Sequence, residues 1–214
     1  RSPDILVSLL NKGEWTLNSI VNKERYLNTG GADGFFIITN FVEDESCYHI
    51  INNKVSESGL PFDGLVEKKF FKPLVKDYLK THKNIGIENY DALCFVPSNE
   101  EVLSPLALEY IKWGELNGYN KKSVTKLTNP WYKPTRQMML GASVVIPRSY
   151  SDTYLSYSNP TKLLTLRYYR LHIKDESVSV ENLTAFMNST LYWLYLNALG
   201  NQSQGQGVLD VNMD

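Results

Sequence analysis

Cysteine, histidine and long apolar runs are all scarce in this sequence, and each shortage closes off a class of protein. Cys47 and Cys94 are the only cysteines in 214 residues, with no CxxC pair. That excludes a disulfide scaffold and points to a reducing compartment, the cytoplasm. His49, His82 and His172 are scattered, so no zinc site with ordinary ligand spacing can be drawn. No apolar run approaches the roughly 20 residues of a membrane helix and no secretory h-region is present, so the expectation is a soluble protein with no membrane partner. Signatures of nucleophilic catalysis and phosphate cradling are missing as well: there is no G-x-S-x-G elbow and no P-loop. Cys47 and His49, two apart, read as neighbours on one strand face. The Gly-rich "TGGADG", Thr29 to Gly34, departs from G-x-G-x-x-G and reads as a turn before a strand. No residue is assigned a catalytic role or a metal.

What is present is enough apolar residue, 43%, for a core, and a lopsided charge distribution. Net charge is only −1, yet Lys112 to Lys174 holds eleven Lys/Arg against Glu115 and Asp152, a charge of +9, while the rest of the chain carries −10. A basic stretch on an acidic body suits a polyanion partner; the alternative is a solvated basic surface with no partner.

Pattern and punctuation give mixed α and β content. Ser2-Pro3-Asp4 and Gly13 bracket a helix over 3–12. "ADGFFIITNFV", residues 32–42, reads as a strand, joined through "EDES" to "CYHIINN" as a hairpin. Residues 65–80 place Lys68, Lys69, Lys72, Lys76 and Lys80 near a helical period. "ALCFVP" reads as a buried strand. Ser104-Pro105 opens a helix that runs to Gly118, with Leu106, Tyr110, Trp113 and Leu116 along one stripe. Residues 119–136 read as a long loop, "ASVVIP" and "KLLTLRYYRLHI" as strands. Ser179 caps a helix over 180–199 with Leu183, Phe186, Met187, Leu191 and Leu194 facing the core, and a polar tail leads to a short strand. No repeat and no linker divides the chain, so 1–214 is read as one domain; its first residue, Arg1, suggests a piece of a longer polypeptide.

Three ordered segments carry a resemblance. "YIKWGELNGYNKKSVTKLTNPWY", Tyr110 to Tyr132, resembles a stretch in the target-recognition part of adenine-specific DNA methyltransferases of restriction–modification systems, the TaqI-like and type IIG enzymes. "LNTGGADGFFII" is similar to the Thr-Gly turn and aromatic strand near the start of those domains, and "FMNSTLYWLYLNALGNQSQGQGVLDV" to their closing helix, Gly-x-Gly turn and strand. In that family the catalytic loop is Asn/Asp-Pro-Pro-Tyr/Phe and grips a flipped adenine. Here "NPWY", Asn129 to Tyr132, has Trp131 in place of the second proline and follows a helix, so it reads as a near-miss.

The resemblance implies an α+β fold of twisted, mostly antiparallel sheet with packed helices, like the recognition domains of type I specificity subunits. It implies sequence-specific binding of double-stranded DNA, with S-adenosylmethionine bound by a methyltransferase domain missing from this chain, which is the second partner. Lys121, Lys122, Lys126, Lys133, Arg136 and Arg148 would meet phosphates or base edges. Asn120, Asn129, Gln137 and Gln204 are candidates to read bases. Thr29, Gly30 and Gly31 would offer backbone amides. Trp131 and Tyr132 would sit in the recognition loop or pin it to the body, and Trp131 equally suits an ordinary core position. Two other readings are a module presenting an aromatic platform, from 14 Tyr and 4 Trp, to a peptide or sugar, and a fragment of a type I specificity subunit acting in trans.

Overall fold

A computed structural model describes residues 17–77, 86–97, 102–150, 154–199 and 209–210; the helix expected over 3–12 lies outside them. In chain order the elements are α1 (Leu17–Ile20), β1 (Val21–Glu24), α2 (Asp33–Phe36), β2 (Ile37–Ile38), β3 (Phe41–Glu43), β4 (Cys47–Asn52), β5 (Phe62–Glu67), β6 (Phe71–Val75) and β7 (Ala92–Phe95). There follow α3 (Pro105–Leu116), α4 (Arg136–Met139), β8 (Val144–Pro147), β9 (Ser149–Tyr150), β10 (Tyr157–Ser158), β11 (Leu164–Thr165), β12 (Tyr168–Ile173), α5 (Val180–Met187), α6 (Thr190–Leu199) and β13 (Leu209–Asp210). Helices combined with predominantly antiparallel sheet make this an α+β fold, as expected. The chain divides into two compact units: residues 1–26, 82–88 and 142–214 form the first, 27–81 and 89–141 the second. Because the first is assembled from three separate chain segments, no single linker marks the division.

In the first unit β1, β12, β8 and β10 form one antiparallel sheet, with Val21↔Ile173, Glu24↔Arg170, Tyr169↔Ile146 and Tyr157↔Val145 in register. Val21, Val144, Ile146 and Leu171 pack on Leu183, Met187, Tyr192 and Leu196. Burying a side chain of this size contributes about 1.5–3 kcal/mol, so this cluster is the core of the unit. Ser179 caps α5 by accepting from the Asn182 amide. The single helix expected over 180–199 is broken at Asn188, whose side-chain amide exchanges two hydrogen bonds with the Ser156 backbone, 2.8 and 2.9 Å. The break shifts the buried stripe of α6 to Tyr192 and Leu196, leaving Leu191 and Leu194, with Phe186 of α5, about half exposed rather than in the core. The long strand expected after Lys162 is likewise split, because Arg167 takes a left-handed φ of +65° between β11 and β12.

The second unit holds a three-stranded sheet in which β4 pairs with β3 on one side (Glu43↔Tyr48) and along its full length with β5 on the other (Asn52↔Phe62 to Cys47↔Glu67). The "EDES" hairpin therefore forms. β7 is fully buried and lies antiparallel between β6 and β2. Residues 32–42 are not one strand: the Ala32 carbonyl accepts from the Phe35 and Phe36 amides and makes one helical turn before β2. That turn sends both rings into the core, where Phe35 stacks on Tyr110 with centroids 5.1 Å apart. Residues 65–75 contain no α-helix. Phe70, Phe71, Leu74 and Val75 are buried on a 3-10 turn and β6, so the lysine spacing there was incidental. On α3 the Ser104 hydroxyl accepts from the Ala107 amide at 3.1 Å. The buried face comprises Ala107, Tyr110, Ile111, Trp113 and Gly114, with Leu116 exposed at the helix end.

Candidate nucleic-acid interface

The longest basic loop, residues 117–136, belongs to the second unit and is held from both ends. At its start Asn117 is fully buried. Its Oδ1 accepts from the Ser56 amide (2.9 Å) and the Ser58 hydroxyl (3.0 Å), and its Nδ2 donates to the Trp113 carbonyl (3.1 Å). Gly118 then takes φ +71°, which turns the chain out of α3. Tyr119 and Thr125 are buried; the Tyr119 hydroxyl donates to the Lys54 carbonyl and the Thr125 hydroxyl to the Tyr119 carbonyl.

Midway, the Ser123 hydroxyl donates to the Gly30 carbonyl at 2.8 Å. Val124 fills the space a Cβ on Gly30 would need, at φ +63°. At its far end the Asn129–Pro130 peptide is cis. The Trp131 indole N–H donates to Glu115 Oε1 at 2.8 Å, and the ring lies 4.6 Å from Phe35, centroid to centroid. A Cβ on Gly114 would come within 2.8 Å of Trp131 Cη2. Tyr132 meets Trp131 edge to face. Trp131 thus pins the loop to α3.

Between these staples the cations point outward. Lys121, Lys126, Lys133 and Arg136 are exposed and Lys122 half-exposed, as is the polar Asn129 in full. Lys121 pairs with the carboxylate of Glu57, Nζ to Oε2 2.6 Å. Asn120 turns its side-chain oxygen inward, away from solvent, and Gln137 is half-buried and engaged within the fold. Gln204 lies outside the described residues.

The turn at Thr29–Gly34 serves structure. The Gly30 amide donates to Asn28 Oδ1 at 2.9 Å, the Thr29 hydroxyl is bonded to Asp33, and Tyr119 occupies the space beside Gly34. This turn opens a helical turn rather than a strand. Even so, with Val124 filling the space beside Gly30 and Tyr119 that beside Gly34, it does not fit the methyl donor that the family resemblance brings in. Among the described residues no group of three His, Cys, Asp or Glu could hold a metal, and no helix is long and apolar enough to cross a membrane.

The +9 stretch does not map onto one loop. Arg148, Lys162, Arg167, Arg170 and Lys174 belong to the first unit. Arg148 is exposed, with its guanidinium 5.3 Å from the Tyr26 ring centre. Arg170 is fully buried: Nη2 lies 3.1 Å from Glu24 Oε2 and donates to the Arg25 carbonyl. Burial pulls its pKa down and Glu24 opposes the pull. His172 shares the same Glu24 oxygen at 3.1 Å, and Lys174 donates to the Asn18 carbonyl.

Sequence reasoning missed Asn117, Ser123 and Glu57. An Asn-Gly pair after a helix signals a C-terminal cap, but nothing local signals that Asn117 reaches back to residues 56 and 58. No family model matches the chain, and no curated protein matches it either.

Proposed function

We propose that this chain binds double-stranded DNA sequence-specifically, as the target-recognition part of a cytoplasmic, S-adenosylmethionine-dependent adenine-N6 DNA methyltransferase of a restriction–modification system. One observation carries the reading. A loop with five Lys/Arg and no acid is tied to its unit by the buried Asn117 and Tyr119 and by the Ser123 and Trp131 side chains, and four of its cations face solvent. A pre-shaped cationic loop meets phosphates without first being ordered, which conserves binding free energy. Phosphate contacts supply affinity and register, and base edges supply choice. Asn129, exposed between Lys126 and Lys133, is the side chain best placed to pair with an adenine edge, at about 1–3 kcal/mol of discrimination. The methyl donor and the transfer step belong to the partner domain, so this chain alone does not consume the donor.

The test is fluorescence anisotropy with a labelled duplex across a salt series. Affinity should fall steeply with salt, and Lys126→Ala and Lys133→Ala should each flatten the log–log slope by about 0.9. Indifference to DNA at low salt overturns the reading.

A further inference from the structure

One carboxylate sits inside the basic loop's reach and cannot easily leave. Glu57 Oε2 is 2.6 Å from Lys121 Nζ. Exposed ion pairs of this kind usually exchange freely with solvent, but Glu57 is confined from below. A Cβ on Gly118 would land on its carboxyl group, so the side chain lies flat on the left-handed turn that ends α3. Its own segment is fixed on both sides of it. Ser56 and Ser58 bond Asn117 Oδ1, and the Leu60 carbonyl accepts from the Trp113 indole at 2.9 Å.

We infer that Glu57 is a specificity-determining residue, a built-in phosphate mimic that withholds Lys121 from the DNA backbone. This rests on the DNA-binding reading above and deepens it. Non-specific affinity comes almost wholly from phosphate neutralisation and counterion release. A cation already neutralised by a fixed carboxylate releases no counterion. Non-specific binding is thereby weakened, while contacts to base edges keep their full value, and the ratio between the two rises.

The experiment is a two-residue cycle on the full chain, with a fluorescein-labelled random-sequence duplex as probe. Glu57→Gln should bind more tightly than wild type at low salt and show a log–log salt slope steeper by about 0.9, one additional phosphate contact. That advantage should shrink about threefold between roughly 50 and 200 mM salt. Lys121→Ala alone should leave the slope unchanged, and the double variant should return to wild type. Glu57→Ala should behave as Glu57→Gln does, which guards against an artefact of one substitution; matching circular dichroism spectra establish that the variants are folded.

An unchanged slope in both Glu57 variants sinks the inference. So does a gain that survives in the double variant, since the carboxylate would then act by general repulsion rather than through Lys121. If wild type itself ignores the duplex, the DNA reading falls and takes this with it; if wild type binds and only the cycle fails, the inference falls alone.

Discussion

The two units differ in the make-up of their cores and in whether a charge is buried in them. The first has an aliphatic core beside a sheet in which a whole guanidinium, Arg170, is buried against Glu24 and the Arg25 carbonyl. The second has an aromatic core of Phe35, Phe62, Phe95, Tyr110 and Trp113. Its buried polar groups are neutral: Thr29, Asn52, Asn117 and Thr125. Asn52 and Asn117 tie loops to the body and Thr125 folds the basic loop on itself, so the nearby cations stay outside. The difference teaches that a count of basic residues measures a surface only after the inward-facing ones are removed. Arg170 contributes to the +9 stretch and nothing to an interface.

That contrast breaks most visibly at Glu24. Glu24→Ala removes the carboxylate that meets Arg170 Nη2, and a loss of about 3 kcal/mol is expected, read as a lower urea midpoint. Replacing both partners, Glu24→Leu with Arg170→Met, should recover most of it. Neither change should alter the salt slope of DNA binding. On the other side, Asn117→Ala strands the Ser56 amide and Ser58 hydroxyl, with an expected loss of about 2 kcal/mol. Because the anchor of the basic loop goes with it, DNA affinity should fall too.

A further effect tests the core of the second unit by pH. Burial pushes the Cys94 thiol in the second unit up from 9.0 to about 12. Unfolded chain gives up this proton near pH 9, whereas folded chain keeps it until about 12. Stability from this group is therefore complete below pH 9 and drains away as pH rises toward 12, at about 1.4 kcal/mol per pH unit. Cys94→Ala should flatten the fall of Tm between pH 9 and 11 without abolishing it. Tyr48, also raised to about 12 mainly by burial, continues to contribute. A fall just as steep in the variant would mean that the thiol is not the source.

Features carried by neighbouring residues were legible in advance. The Ser104 and Ser179 caps, the "EDES" hairpin and the buried "ALCF" strand each follow from a few adjacent side chains. Features decided by distant partners were not. The turn at 33–36 exists because the core around Tyr110 accepts two adjacent rings, and the break at Asn188 because Ser156 offers a matching amide and carbonyl. That residues 119–136 form a loop, and a basic one, is legible from composition. Its order was hidden, because its staples lie at Gly30, Phe35, Lys54 and Ser56–Ser58. The division into two units was hidden for the same reason: the chain passes between them more than once, so composition never changes abruptly.

Ser123 and Gly30 meet across 93 positions, and this sets a rule for dissecting the molecule. A peptide spanning 118–136 would keep every positive side chain and lose its shape, since the clasp that sets its curvature is supplied by a turn far upstream. An excised fragment meant to preserve that curvature has to begin no later than Leu27. A graft of the basic stretch onto another scaffold must bring the glycine turn along.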